Sequence, residues 1–513
     1  MLSLVLWPIS SQASDESALY MRNALHYYHV GNYRRSKEFF LAVLSIGTPR
    51  EVEIAKQYLA IPALTTATKS GRPLPRYVPP AKPKPVTDSI LEEQEPAPEQ
   101  TNTHVKEDSD RIPFHASGNL REQAAVRTSA PSQLSQLRTV GYLSATGQLL
   151  DDVSYKVSGR AWYDGVYDLT DHYPRAVKDN QKTDGELRDT YVDLSHGNWD
   201  ARVGKQQVVW GEALGLFYAD VVNAKDLREF VLPDFEFIRI PEWGTDLEYT
   251  LHNLHAELVW LPVPSMNLVG RPGSEFAFPA PAPPGFQTVY GPERMPAQTL
   301  DNSELGGRLA YRASGWDLGL FHLRTWDKSP VYERTFSPDE MTLTATHPRL
   351  TIDGATFAKE IEEIVFKGEL VYNTNKYFQT TDIASVNGLA SKNYVDYLLG
   401  ADHTFWKNMN ASVQWAQRWI QQYEADLYQQ KKIQSTVTVS VRQTFLDDHW
   451  EPEVLVIQDL EWGDRMIRPG VTYKITPHWR WSGGMDFFSG NPEGLFGEFS
   501  HHNRGYMEVR YDF

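Results

Sequence analysis

Apolar and polar residues alternate with a period of two along most of this chain. In residues 153–168 the odd positions hold Val, Tyr, Gly and Ala, whereas the even positions are mostly Ser, Lys, Arg and Asp. The same alternation recurs in residues 433–445 and 507–513. Because successive side chains of a strand point to opposite faces, this pattern predicts β-strands with one apolar face and one charged face.

The predicted strands are long and come in pairs. Tight turns are predicted at Asp151-Asp152, His196-Gly197-Asn198, Ser314-Gly315, residues 407–410 and Asp447-Asp448, and much longer segments separate the pairs. Short turns at one end, long loops at the other and an apolar outer face are typical of a transmembrane β-barrel. A soluble sandwich also alternates, but its strands are usually shorter. A closed barrel is also the only sheet that satisfies its backbone in lipid.

The pattern therefore predicts a mainly β fold, a transmembrane antiparallel β-barrel over residues 112–513. Counting residues 112–127 as the first strand gives 18 strands, and 16 is the alternative. An even number returns both ends of the barrel to the periplasm. The expected location is the cell outer membrane, with outer-membrane lipid around the barrel.

A different organisation is predicted before the barrel. Residues 1–13 resemble a truncated signal peptide with cleavage after Ala13, and residues 63–111 are a Pro-rich, extended linker. Residues 16–62 have helical periodicity with a break at Gly31-Asn32, and they look like one tetratricopeptide-type repeat. Such a repeat does not bury its apolar face alone. We expect these helices in the periplasm, where they either bind a periplasmic or inner-membrane transport partner or form a simple hairpin.

Composition narrows the functional classes. The chain has 50 Lys+Arg against 66 Asp+Glu, a net charge of −16, which argues against a nucleic-acid partner. It has no Cys, so thiolate metal sites, iron–sulfur clusters and cysteine nucleophiles are excluded. The histidine pairs His252/His255 and His501-His502 lack acidic or Cys neighbours at ligand spacing. We therefore predict no metal, no cofactor and no enzymatic activity.

One segment carries a distinctive motif. Residues 204–212 read Gly-Lys-Gln-Gln-Val-Val-Trp-Gly-Glu at the end of a predicted strand, and Asn223-Ala224-Lys225-Asp226 follows. This resembles the outer-membrane barrel family of domain-of-unknown-function 1302, whose members carry Gly-(Arg/Lys)-Gln-x-x-x-Trp-Gly-Glu and then an Asn-Pro-x-Asp-like loop. Ala224 stands where proline is usual. The resemblance implies an outer-membrane barrel that works with envelope transport systems for hydrophobic or lipid-like molecules.

The segment of about residues 212–243 is long and amphipathic, and loops of this length usually have a function. We predict that it folds into the barrel and narrows the pore, with Gly211 allowing a sharp turn. The candidate pore residues are Trp210, Gly211, Glu212, Asp220, Asn223, Asp226, Arg228, Glu229, Arg239 and Trp243. Its charges are expected to pair with Lys156, Arg160 and Arg202 of the lumen wall. Such pairs would select solutes by their size and through the electric field of the paired charges, or they would simply fasten the loop.

Two further features concern the ends of the barrel. The chain ends in Arg510-Tyr511-Asp512-Phe513, which resembles the terminal signal read by the barrel-assembly machinery, with Tyr511 and Phe513 as the candidate residues. The Pro-rich segment of residues 263–299, which contains Phe276 and Phe278, is expected outside the cell or as a cap on the barrel mouth.

These features predict a porin-like channel that passes a solute, with hydrophobic or lipid-like molecules as candidates, together with envelope transport partners. One alternative is an exopolysaccharide secretion barrel with periplasmic tetratricopeptide helices, although such exporters carry many repeats. Another is an outer-membrane enzyme or a scaffold barrel.

Overall fold

The computed structural model describes residues 20–21, 24, 33–46, 52, 55–56, 58–59, 114–278, 287–337, 340–382, 384–406 and 408–513. The predicted signal peptide of residues 1–13 and the linker of residues 63–111 lie outside these ranges. The predicted helical region of residues 16–62 is described only in part.

The described residues form a barrel of 18 strands, numbered β1 to β18 in chain order. The first nine strands are Phe114–Arg127, Gln133–Leu150, Val153–Asp164, Thr183–His196, Trp199–Gln206, Glu242–Leu251, Leu254–Leu261, Glu304–Ala313 and Trp316–Trp326. The other nine are Arg349–Ile361, Ile364–Gln379, Leu389–Phe405, Met409–Ile420, Ile433–Gln443, Trp450–Asp459, Arg465–Lys474, Trp479–Ser489 and Arg504–Asp512.

Each barrel strand pairs antiparallel with the next one in sequence. The sheet closes because β18 pairs antiparallel with β1, with Asn119 opposite Asp512 and Arg127 opposite Arg504. The prediction of 18 strands is therefore confirmed and the alternative of 16 is wrong. The first strand is described from Phe114 on, and its predicted start at residue 112 lies outside the described residues.

The remaining elements are short and lie between barrel strands, apart from one helix. Four α-helices are present in the described ranges: α1 (Tyr33–Ile46), α2 (Val166–Leu169), α3 (Arg175–Gln181) and α4 (Phe235–Ile238). The 3-10 helices are Leu300–Asn302 and Gly497–Phe499. Asp226–Leu227 pairs with Leu268–Val269, and Gln287–Tyr290, Val331–Phe336 and Glu340–Thr346 form a small separate sheet. No helix in the described part of the chain is long and apolar enough to cross a membrane.

The tight turns occur where the sequence predicts them. Gly197, Ser314 and Gly315 have φ of 62°, 52° and 74°, and Asp447 and Asp448 have φ of 55° and 63°. These turns lie at the end of the barrel where β1 begins and β18 ends. We call it the turn end. The long connections, including residues 207–241 and 262–303, lie at the opposite end, as in outer-membrane barrels.

The two faces of the sheet differ as the alternation predicts. On β3, Val157 and Tyr163 are exposed on the outer face, whereas Ser158 and Asp164 are buried on the inner face. Exposed Leu120, Leu309, Leu320, Leu399 and Val413 continue the apolar surface around the barrel. So large an apolar exterior on a closed barrel is the surface that lipid covers.

The alternation of residues 153–168 does not continue to Asp168 as one strand. β3 ends at Asp164, whose carboxylate accepts hydrogen bonds from the backbone N–H groups of Leu137 (2.9 Å) and Val166 (3.2 Å). The chain then turns into α2, where Tyr167 is buried inside. The capping carboxylate therefore ends the strand although the sequence pattern runs on.

The described residues before the barrel are helical. Tyr20, Met21, Ala24, Phe39, Phe40, Val43 and Ala55 form a small apolar core. The Ser36 hydroxyl donates to the Ala24 carbonyl at 2.7 Å within it. The tetratricopeptide-like interpretation stays a prediction.

Candidate functional site in the lumen

The candidate site is built around residues 207–241, which we call the inward segment. It joins β5 to β6 but contacts the walls of the barrel far from both. The Leu214 N–H donates to Gln414 on β13 at 2.9 Å, and the Ala219 N–H donates to Glu369 on β11 at 2.8 Å. On another side, Arg468 of β16 donates to the Leu232 carbonyl at 2.9 Å. Since these strands surround the interior, the segment crosses the lumen.

The base of the inward segment is fastened by one buried amide. The Asn223 Oδ1 atom accepts from the Val208 N–H at 2.7 Å. Its Nδ2 atom donates to the carbonyls of Ile240 (2.9 Å) and Gln206 (3.2 Å). Asn223 therefore ties the outgoing and returning ends of the segment to each other.

Ala224, the departure from the family motif, has a specific contact. Its N–H donates to Glu242 Oε1 at 2.7 Å, and its carbonyl accepts from the Ile240 N–H at 2.8 Å. A proline has no N–H to donate. The bond to Glu242 thus depends on the residue that departs from the motif.

Trp210 and Gly211 position the outgoing end. The Trp210 ring is 2% exposed, packs against Phe321 on β9 at a centroid distance of 5.3 Å, and donates from Nε1 to Glu257 on β7 at 3.0 Å. A Cβ on Gly211 would lie 2.5 Å from the Asp220 nitrogen. The φ of Gly211 is not positive, and the predicted sharp turn at this residue stays a prediction. The glycine is needed because another part of the segment passes so close.

Asp220 is the centre of a buried charge cluster within the segment. Arg239 Nε lies 2.7 Å from one carboxylate oxygen of Asp220, and Lys225 Nζ lies 3.6 Å from the other. Burial acts to raise the pKa of Asp220, but Lys225 and Arg239 outweigh it and hold that pKa below its ordinary value. Arg239 therefore pairs inside the segment rather than with the wall.

Three other charges among the predicted pore residues do reach the wall. Arg228 forms ion pairs of 2.8 Å with Asp226 and with Asp184 on β4. Glu229 pairs with Arg138 on β2 and lies 3.7 Å from Arg504 on β18. Asp226 lies 3.9 Å from Arg160 on β3. These pairs connect the middle of the segment to four wall strands.

The other two predicted wall cations form ion pairs with carboxylates of a neighbouring strand. Lys156 on β3 pairs with Asp189 at 3.4 Å, and Arg202 on β5 pairs with Asp193 at 2.7 Å. Both carboxylates lie on β4, next to the strand that carries the cation. The predicted pairing of Lys156 and Arg202 with the segment stays a prediction.

Two more predicted pore residues differ in position. The Glu212 N–H donates to Glu369. Burial raises the pKa of the Glu212 carboxyl. Trp243, in contrast, is 51% exposed on the outer face of β6. Its placement in the pore is wrong because β6 begins at Glu242, which faces inward, so alternation turns the next side chain outward.

A second connection also enters the barrel. Phe276 is buried against Phe488 of β17, at a ring distance of 5.9 Å, and Phe278 lies 5.9 Å from Phe230 of the inward segment. Phe496 and Phe499 complete this apolar cluster. Phe276 is therefore buried against the inner wall and Phe278 is half-buried beside it, and the expectation that this connection lies outside the cell or caps the barrel mouth stays a prediction.

A cavity of about 310 Å³ lies between the inward segment and the turn end. Among the described residues, nine arginines and six carboxylates line it. Sequence reasoning missed seven of the nine arginines, namely Arg121, Arg138, Arg442, Arg468, Arg480, Arg504 and Arg510. Their only signal is an inward position in the alternation, and their proximity depends on strand register.

A closed antiparallel barrel with an apolar exterior, a polar interior and a segment across its lumen is a porin-like barrel of the outer-membrane type. The sequence matches the family described as "Protein of unknown function (DUF1302)" over residues 135–491. The chain belongs to this family, and no curated protein shows significant sequence similarity to it.

Solved structures with a similar fold include three barrels. OmpF of Salmonella typhi, solved in complex with daunomycin, is 10% identical, with 78% of this chain and 97% of that chain covered and a TM-score of 0.39. OccAB4 of Acinetobacter baumannii is 11% identical, with 79% and 100% covered and a TM-score of 0.46. OpdK of Pseudomonas aeruginosa, solved with vanillate, is 11% identical, with 78% and 98% covered and a TM-score of 0.44.

Proposed function

We propose that this protein is an outer-membrane channel that passes a small solute through a lumen narrowed by the inward segment. The observation that carries the proposal is the crossing of the lumen by residues 207–241, with bonds to β11, β13 and β16. A segment held in this way limits both the width and the charge of a pore. The cavity beside it leaves room for a solute.

The orientation follows the general rule for such barrels, in which short turns face the periplasm and long loops face outward. On this basis the turn end and the helical region near residues 20–59 are periplasmic. We include in the proposal that these helices contact a periplasmic or inner-membrane transport partner. Hydrophobic or lipid-like solutes remain a prediction from the family resemblance.

Conductance in planar bilayers tests the channel. A variant in which a short Gly-Ser linker replaces residues 214–237 should keep the barrel, because all 18 strands are retained, and it should conduct several-fold better than the wild type. A matched control replaces the exposed loop tip of residues 384–387 and should conduct like the wild type. Equal conductance of wild type and deletion variant, or no conductance in either, would refute the proposal.

A further inference from the structure

Four cations lie side by side on the inner wall near the turn end. Arg121 of β1 is directly opposite Arg510 of β18, and Arg510 is opposite Arg480 of β17. Arg480 is in turn opposite Lys474 of β16. Like charges directly opposite each other destabilise a sheet. The row is therefore unfavourable for the barrel itself, which points to a role beyond structure.

Carboxylates near this row are shared rather than matched one to one. Asp512 lies 3.0 Å from Arg480 and 2.6 Å from Arg510. Glu451 lies 2.7 Å from Arg442 and 2.8 Å from Lys474. Sharing neutralises part of the charge and fixes the cationic groups in place, and the residues that line the cavity include nine arginines against six carboxylates.

A second group of arginines continues the positive wall toward the inward segment. Arg468 and Arg504 both lie 2.8 Å from the buried carboxylate of Asp486. Arg138 and Arg504 share Glu229 of the segment. Arginines therefore line the cavity both near the turn end and next to the inward segment.

Aromatic rings hold several of these groups and add apolar surface. Arg160 and Arg228 lie 4.8 Å and 5.0 Å from the centroid of Trp162, and Arg121 lies 4.6 Å from that of Phe237. Stacking on an aromatic face fixes the orientation of the planar guanidinium group. The buried Nε of Arg160 has no hydrogen-bond partner among the residues that the structure describes.

We propose that this arginine-lined cavity binds small organic anions that carry carboxylate or phosphate groups, and that it makes the channel anion-selective. Guanidinium groups match the geometry of both kinds of oxyanion, and the rings of Trp162 and Phe237 accept a carbon skeleton. The local excess of arginine is opposite in sign to the net charge of −16 of the whole chain. The selectivity rests on the proposed channel function, whereas the binding does not.

Calorimetric titration of the full-length protein in detergent with citrate tests the binding. The wild type should bind citrate with one-to-one stoichiometry, and the double variant Arg480→Gln/Arg510→Gln should bind at least tenfold more weakly. The single variant Arg121→Gln leaves the Asp512 pairs intact and should weaken binding by a smaller factor. The matched control is Arg312→Gln, because Arg312 is an arginine near the turn end that pairs with Asp317 at 2.7 Å and lies outside the cavity lining.

The zero-current potential across a bilayer in a KCl gradient tests the selectivity. The wild type should prefer chloride, the double variant should shift toward potassium, and Arg312→Gln should match the wild type. No citrate binding by the wild type, or citrate binding unchanged in both cavity variants, would overturn the anion site. Conductance without any preference for chloride would overturn its role in selectivity. No conductance at all would overturn the channel and leave the titration to decide the site.

Discussion

Asn223 is the residue whose single side chain closes the base of the inward segment. Replacing it with Ala removes three hydrogen bonds and leaves buried backbone groups of Gln206, Val208 and Ile240 without these partners. We expect a loss of about 1–3 kcal/mol from the stability of the segment. The barrel should stay closed while conductance rises and limited proteolysis of the segment becomes faster.

Asn302→Ala is the control for that substitution. Asn302 also donates to a backbone carbonyl, that of Ala297 at 2.7 Å, but it does so in an exposed loop. It should leave conductance and proteolysis unchanged. An Asn223→Ala channel that behaves like the wild type would show that the base of the segment is held by other contacts.

The acidic residues of the inward segment predict its response to pH. Burial acts to raise the pKa of both Asp220 and Glu229. Lys225 and Arg239 outweigh it at Asp220 and lower that pKa. Arg138 and Arg504 outweigh it at Glu229 and lower that pKa too. The ordinary pKa values are 3.8 for Asp220 and 4.5 for Glu229, and at any pH above them the ionised carboxylates stabilise the segment. This stability is lost as the pH falls through the lowered pKa values of the folded segment.

Conductance should therefore be constant above these ordinary pKa values and should rise as the pH falls below 3.8 and the carboxylates of the segment protonate. The variant that lacks residues 214–237 provides the control, because it has no segment to release. A rise of the same size in that variant would assign the effect to the wall instead of the segment.

Sequence alone identifies the motif residues but not what they touch. The motif marks Trp210, Gly211 and Asn223, and all three hold the outgoing or returning end of the segment. The partner of Arg202 depends on the distance between strands, and that of Arg239 depends on how the segment folds back on itself. Periodicity provides neither. The outward direction of Trp243 depends on the exact first residue of β6.

At the level of the elements, the closing pair of strands gives Phe513 two roles. Its N–H donates to the Gly118 carbonyl at 3.0 Å, and its carbonyl accepts from the Gly118 N–H at 2.9 Å. Its ring lies over Gly118, where a Cβ would come within 2.8 Å of it, and packs near Tyr511 on the outer face. Phe513 thus completes the β1–β18 seam as well as the aromatic surface.

Deletion of Phe513 should slow barrel assembly, because it removes two backbone hydrogen bonds of the seam and an outward ring. The rate is measured by the heat-modifiable gel shift of the folded barrel over time. Phe513→Tyr keeps the backbone bonds and an aromatic ring, so it should assemble at nearly the normal rate. Normal assembly of the deletion variant would refute a role of the terminus.

Strand number and pairing could be predicted because alternation and turn residues are local properties. The arginine row could not, since Arg121 and Arg510 become neighbours only when the first and last strands close. Periodicity also overran the end of β3, where the carboxylate of Asp164 caps the strand. Local patterns therefore define strands, and closure defines the site.

For the whole molecule, the barrel should fold without the helices before it. The β-sheet closes between Phe114–Arg127 and Arg504–Asp512, and the strand pairs of the seam run from Asn119 opposite Asp512 to Arg127 opposite Arg504. Residues 112–513 expressed behind a signal sequence should therefore reach the outer membrane and show the heat-modifiable shift. The full-length chain is the reference, and failure of the fragment to form a barrel would show that the helices contribute to its folding.

The stapled base of the inward segment has a consequence for how such a protein changes over time. Asn223 bonds to Gln206, Val208 and Ile240, so the two strands beside the segment are held in register whatever the other residues of the segment are. The other residues of the inward segment can therefore accumulate substitutions without destabilising the strands of the barrel. We expect the inward segment to be exchangeable between family members. Grafting it from one member onto another would then transfer permeability while the barrel stays the same.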